Sequence, residues 1–231
     1  MVTVFTCVVG ATPDTVRMLN ILHNPAVRYV CLSDRRTSPF PYQHVPVTVP
    51  AEQSAHLYAR QLKILADHPA LGESEVLLWH DAAFRLDLDP AIVARVFRED
   101  STRQVVAFAH PDRTTVEEEA AAIVRCGYMD EATVTAQVAH YRSERWPTQT
   151  ALTTTGYLLR RRAEAVRAFN QAWWDEVARW GYRDQMSVDY ALWKTGLTCH
   201  YLAGSYRANR YARWVKAPFV RRPPHRPMVR P

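Results

Sequence analysis

Four consecutive apolar residues, Val76-Leu77-Leu78-Trp79, stop abruptly at His80-Asp81. An uninterrupted apolar run of this length is the pattern of a buried strand. A buried strand that ends in a carboxylate puts that carboxylate at the C-terminal edge of its sheet, where open α/β sheets bind their ligands. Two readings of Asp81 follow. It caps the next turn, or it offers oxygen ligands to a divalent cation.

Other segments repeat the pattern. Thr3 to Val9 is a β-rich run closed by the turn signal Gly10-Ala11-Thr12-Pro13, and Asp14 or Thr15 starts a short helix through Leu22. Val27 to Leu32 is a second strand ending in Ser33-Asp34. Asp34 there suits a pyrimidine base or a ribose hydroxyl, or simply a turn. Val105 to Ala109 is a further strand, ending in His110-Pro111-Asp112-Arg113. Thr37 to Pro50 reads as a loop with a short edge strand, and Gly156 to Arg160 as strand.

Helical patterns lie between these runs. Ser54 to Asp67 carries Arg60 and Lys63 on one face, facing either solvent or a phosphate. A helix is expected from Pro90 to Arg98. Thr115 and Glu118 form a capping box, and Glu117, Glu118 and Glu119 suit the positive end of the following helix, which Gly127 closes. Asp130 starts a helix that ends before Pro147. Val166, Phe169, Trp173 and Val177 repeat at helical spacing and read as core. Asp184, ahead of a helix from Val188 to Thr195, is either its N-cap, a general base, or a group that positions the acceptor.

The chain has 231 residues, 48% hydrophobic and 23% charged, as in one globular domain with a substantial core. It contains no apolar run of membrane-spanning length. Its first residues lack a basic leader and read as a strand, not a signal peptide. Four scattered cysteines with no C-x-x-C pair fit reduced thiols and a cytoplasmic setting.

Charge divides the chain into a body, 1–206, and a basic, proline-rich extension, 207–231. The extension holds eight Arg or Lys and no Asp or Glu, so the whole +6 excess sits there and the body is near neutral. Its last dozen residues are expected to pack into no element. If the segment before them is helical, Arg207, Arg210 and Trp214 share a face with Tyr211 beside them. Cations interleaved with aromatics suit a polyanion.

The motifs occur in a fixed order: Tyr29 to Asp34, Arg60 to Lys63, Trp79-His80-Asp81-Ala82, His110-Pro111-x-Arg113, Glu118-Glu119-Ala120, Gln137 to Tyr141, Asn170 to Glu176, and Arg183-Asp184-Gln185-x-Ser187. Over roughly residues 1–200 this resembles the glycosyltransferase-like family of plant mucilage and pectin synthesis and bacterial polysaccharide clusters. The resemblance implies a GT-A-like, Rossmann-like α/β domain with a central mixed, mostly parallel sheet flanked by helices. It implies a nucleotide-sugar donor, a UDP-sugar, bound by Gly10, Asp34, Arg60, Lys63, His110 and Arg113. It implies a divalent cation, Mn or Mg, held by Asp81 with His200, and acceptor chemistry at Asp184 and Gln185. Two positions depart from the family pattern. One carboxylate, Asp81, stands where many GT-A enzymes have Asp-x-Asp, and Arg160-Arg161-Arg162 stands where the family has Arg-His-Asn.

For the acceptor, the extension points to a polyanion held by Arg207, Arg210, Tyr211 and Trp214, with hydroxylated bases in DNA as one candidate and an anionic glycan or a bacterial membrane surface as the other. A non-catalytic nucleic-acid-binding module is the competing class. It predicts a basic body, which this chain lacks.

Overall fold

The computed structural model describes residues 1–10, 23–35, 40–147 and 149–214. The strands are β1 (Val2–Val8), β2 (Val27–Ser33), β3 (Gln43–Pro46), β4 (Val76–His80), β5 (Phe84–Leu86), β6 (Val105–Ala109), β7 (Thr153–Arg161), β8 (Cys199–Tyr201) and β9 (Ala212–Trp214). The helices are α1 (Ala55–Leu65), α2 (Pro90–Arg98), α3 (Val116–Arg125), α4 (Glu131–Ser143), α5 (Glu164–Trp180) and α6 (Val188–Lys194). Seven strands form one sheet in the order β3-β2-β1-β4-β7-β6-β8, and β5 pairs with β9 in a separate ribbon. Only β7 runs against its neighbours, β4 and β6; the other pairings in the large sheet are parallel. The fold is therefore α/β with a mixed, mostly parallel sheet, as the sequence implied. The helix expected through Leu22 and the proline-rich arm beyond Pro218 lie outside the described residues.

Both faces of the sheet are covered, which is why β4 reads as an unbroken apolar run. Leu78 packs with Val4, Phe108 and Val93 and Phe97 of α2 on one face. Leu77 and Trp79 pack on the other with Leu62 of α1 and Phe169, Trp173 and Val177 of α5. The aromatic stripe of α5 is thus core. A third cluster joins α3 and α4 through Val116, Ile123, Val134 and Tyr141, closed by Tyr190. No helix among the described residues is long and apolar enough to cross a membrane, and all four cysteines are free thiols.

The three consecutive arginines after β7's core have structural tasks. Arg160, 1% exposed, donates to the carbonyls of Lys63 and Ile64, both at 2.6 Å, and to Asn170 Oδ1 at 2.7 Å. Asn170 Nδ2 in turn donates to the Leu65 carbonyl at 3.2 Å. The last carbonyls of α1, which have no partner within the helix, are satisfied this way. Arg161 does the same beyond α2, donating to the carbonyls of Phe97, Arg98 and Asp100. Arg162 donates to the Gly72 carbonyl. Cations at helix C-termini also meet the negative end of the dipole.

The segment 207–214 is not helical. Its spacing fits a helix, but Tyr211, Ala212 and Arg213 alternate half-buried, buried and exposed, and β9 pairs antiparallel with β5, Trp214 opposite Phe84. The side chains at 207, 210 and 214 therefore do not form one helical face. Arg207 makes an ion pair with Asp112 at 2.5 Å and Arg213 with Asp87 at 3.0 Å. These residues pack on the body, and two of their three cations are already matched by body carboxylates.

Replacing Arg160 by methionine keeps a long apolar stem and removes every donor to α1's end. Arg160→Met is expected to lower the unfolding free energy by about 2–4 kcal/mol, since buried carbonyls left unpaired each cost about 1–3 kcal/mol. Urea unfolding measures it, and an unchanged midpoint would contradict the capping role.

Candidate active site

β1, β2, β4 and β6 all point the same way, so Val8, Ser33, His80 and Ala109 finish at one edge of the sheet. A cleft of about 410 Å³ opens there. Strand ends, α3 from Glu119 to Arg125, and residues 183–185 supply its walls. Of the residues singled out in the sequence, Arg60, Asp81, His110, Arg113, Asp184, Gln185 and Trp214 line it. Gly10 and Asp34 sit at the same edge but outside the lining. There the Gly10 amide donates to Asp34 Oδ2 at 2.9 Å. Gly10 has φ +59°, and a Cβ on it would lie 2.6 Å from that of Ala55, so the turn needs glycine.

A displaced register shapes the floor. Val106 pairs with Leu159, but Phe108 pairs with Thr154, so β7 carries extra residues against β6. A bulge of this kind re-aims side chains and interrupts pairing. Here it delivers Thr155 and Gly156 to the cleft. The Gly156 carbonyl accepts from the Asp81 amide at 2.8 Å. A Cβ at Gly156 would fall 2.7 Å from Phe84 and 3.4 Å from Asp81 Oδ2, so only glycine leaves this floor open.

Asp81 is held from behind. His80 is fully buried, and burial pushes its pKa down to about 4, so the ring is neutral. Its Nδ1 lies 2.9 Å from the Asp81 carbonyl and its Nε2 2.5 Å from the Tyr42 hydroxyl. A carbonyl can only accept, so Nδ1 carries the proton and Tyr42 donates to Nε2. The Asp81 side chain takes the Trp79 indole N–H on Oδ1 at 2.9 Å.

Two buried carboxylates organise the cations. Asp184 Oδ2 meets Lys63 Nζ at 2.5 Å and Asp184 Oδ1 meets Arg60 Nε at 3.1 Å. Burial works to raise the Asp184 carboxyl, but Arg60 and Lys63 outweigh it and hold the pKa well below the carboxylate range. Burial pulls the Lys63 ammonium down, opposed by Asp184 and Asp81. Glu119, 1% exposed, takes Arg113 Nε at 2.6 Å, with Arg183 at 3.8 Å. Arg183 also stacks over the Tyr128 ring.

Several expectations change with this geometry. Asp184 caps no helix with its side chain; it is the counter-ion of Lys63 and Arg60, and a carboxylate held so firmly ionised is a weak proton acceptor. Lys63 is buried against Asp184 and does not reach the cleft lining. His200 is separated from Asp81. It lies on edge strand β8 opposite Val106, beyond β6 and β7 from β4. Of the three glutamates that open α3, Glu118 makes the capping box and Glu117 pairs with Arg142, but Glu119 is a site residue. The sequence held a sign of it: Glu119 falls at i+3 from Val116 on the face that also buries Ala120 and Ile123. Arg125, Arg183, Thr155, Gly156 and Phe84 were also missed.

The donor set does not fit a divalent cation held by the protein alone. Asp81 Oδ1 is engaged by Trp79, with Lys63 Nζ at 3.7 Å. Glu119 and Asp184 are each matched by two cations. His110 Nδ1 accepts from the amides of Asp112 and Arg113, both at 3.1 Å, so Nε2 carries the proton and offers no lone pair. No group of three metal-ligating side chains occurs among the described residues.

The α/β sheet thus carries a cation-lined cleft at its carboxyl edge, the edge where open sheets of this kind bind their ligands. Residues 59–209, more than half of the chain, match the family described as TOD1/MUCI70, glycosyltransferase-like domain, and the chain belongs to that family. Among solved structures, a glycosyltransferase involved in the glycosylation of the major capsid of PBCV-1 is similar at TM-score 0.44 and 9% identity, over 87% of this chain and 79% of that one. No curated protein matches in sequence.

Asp184→Asn should lower the unfolding free energy by about 3–5 kcal/mol at neutral pH, because it strands the buried Lys63 charge. The folded Asp184 pKa is depressed, so its stabilisation is present above the unfolded value of about 3.9 and is lost as the pH falls through the folded value. The parent should therefore lose stability in acid more steeply than Asp184→Asn. Denaturant melts at stepped pH test this; parallel curves would remove Asp184 as the anchor.

Proposed function

We propose that this protein transfers a sugar from a nucleotide-sugar donor, a UDP-sugar, to an acceptor hydroxyl. The observation that carries this reading is the cleft at the strand edge, where Arg60, Arg113, Arg125 and Arg183 face one open carboxylate, Asp81. Guanidinium forks match phosphate oxygens, and Asp34 and Gly10 at the same edge suit the nucleoside. In the reaction the acceptor oxygen attacks the anomeric carbon, the bond from that carbon to the phosphate oxygen breaks, and the nucleoside diphosphate leaves with the electron pair. The acceptor proton goes to a carboxylate. Asp81 suits this role better than Asp184, since its side chain is 36% exposed, opens on the cleft and is not saturated by guanidinium.

Asp81→Asn is expected to reduce kcat by roughly 10²-fold or more with little change in donor KM, the pattern of a lost general base. Turnover at the parent's rate would discard the assignment. The readout is release of nucleoside diphosphate and mass spectrometry of the acceptor.

For the acceptor, the reading remains a polyanion, with hydroxylated bases in DNA as the candidate. Trp214 lines the cleft, whereas Arg210 and Tyr211 line a separate apolar pocket with Val93 and Phe97 of α2, so among the described residues of the extension Trp214 supports the acceptor reading. Transfer to such an acceptor should weaken steeply with salt, as counterion release requires, while donor hydrolysis stays level. A neutral oligosaccharide glycosylated equally at all salt concentrations would favour the glycan alternative, which the aromatic residues in the cleft lining, Phe84, Tyr128, Tyr206 and Trp214, also suit.

A further inference from the structure

We infer that the donor diphosphate is neutralised by arginines preset on Glu119 and Asp184, in place of a divalent cation. This rests on the nucleotide-sugar reading above and deepens it.

The charge balance is the first ground. Arg60, Arg113, Arg125 and Arg183 line the cleft with Asp81, Glu119 and Asp184, and Lys63 stands behind Asp184. Five cations against three carboxylates leave two positive charges, the charge one divalent metal ion would bring. Glu119 and Asp184 each hold two cations, and Lys63 also lies 3.7 Å from Asp81, so the two excess charges fall toward the Glu119 arginines and Arg125. Self-energy disfavours an isolated buried cation; sharing one carboxylate between two cations keeps the excess charge without leaving either cation alone.

Orientation is the second ground. Glu119 grips Arg113 by Nε at 2.6 Å, and no other hydrogen bond to its guanidinium is formed among the described residues. Its terminal nitrogens are therefore left for a ligand. Arg60 is an ion-pair partner of Asp184, its Nε 3.1 Å from Oδ1 without a hydrogen bond between them. Arg183 has a buried Nε with no hydrogen-bond acceptor, a donor that a phosphate oxygen would satisfy. His110 adds a neutral Nε2–H donor at the same wall, fixed by the two amides on Nδ1. Pre-aligned donors cost little reorganisation when the leaving diphosphate gains charge. The third ground is the absence of a fitting metal donor set among the described residues, set out above.

The test is calorimetric titration of the full chain with UDP, in excess EDTA and in excess manganese. Binding is expected in both, with dissociation constants agreeing within about threefold, or about 0.65 kcal/mol. Arg113→Gln should weaken UDP binding in EDTA by about 10- to 100-fold, the range for one charge-assisted hydrogen-bonding group, and Arg113→Lys should fall between. Because Arg113→Gln disturbs a buried partner, Arg125→Gln, at an exposed position, serves as the second variant and should also weaken binding in EDTA. Binding that vanishes in EDTA and returns with manganese, with the arginine variants unchanged, would overturn the inference and leave the donor reading intact. If UDP, ADP, GDP, CDP and dTDP all fail to bind in either buffer, the nucleotide-donor reading itself falls.

Discussion

The contact between Lys63 and Asp184 organises the cleft. It joins the last turn of α1 to the turn before α6, and it is stable only because the rest of the structure completes it. Arg60 takes the second carboxylate oxygen, Thr155 adds a hydrogen bond from the β7 bulge, and the Trp173 indole holds the Asp184 carbonyl at 2.9 Å. Burying an ion pair is seldom a net source of stability against an apolar alternative. Its use here is positional: Arg60 is brought to the wall and the 184–186 turn is locked beneath it, so Gln185 and Arg183 project from a fixed base.

The same economy appears at Glu119. One buried carboxylate fixes Arg113, which follows β6, and approaches Arg183, which precedes the Asp184 turn. The two clusters meet at adjacent residues, Arg183 and Asp184, so a displacement at either would be felt by the other through that turn. The Tyr42–His80–Asp81 chain performs a parallel service on the opposite wall, where a neutral buried imidazole sets the backbone of the strand-end carboxylate. Rigid first contacts backed by a buried second layer are what precise chemistry requires.

Much of this fold was legible because its signals are local. Ser54, Thr115 with Glu118, and Asp130 mark helix starts within a few residues of their partners, and each side-chain cap is present. The β4 run was legible because both sheet faces are covered. What was not legible depends on contacts between distant positions. Asp184 looked like a cap because its true partners lie on α1. Arg160-Arg161-Arg162 looked like a lost motif because the carbonyls it serves belong to helices far upstream. The segment 207–214 has helical spacing by coincidence. Its pairing with Phe84 across the molecule overrides that local pattern, as tertiary context commonly does. Glu119 was half legible: helical phase put it among buried residues, while its two acidic neighbours made it look like surface.

The β5–β9 ribbon has a consequence for the order in which this chain can mature. Phe84 waits for Trp214, Asp87 for Arg213 across 126 positions, and Lys63 for Asp184 across 121. During synthesis the N-terminal strands β1 and β2 can pair and begin to collapse early, but one wall of the cleft cannot exist until the ribosome has produced residue 214. Contacts of such long sequence separation are slow to form. A nascent chain therefore passes through a period in which the sheet is largely made while the Lys63 ammonium still has water for company. The cleft's cations are all in place by residue 183, but the wall that Trp214 completes comes later.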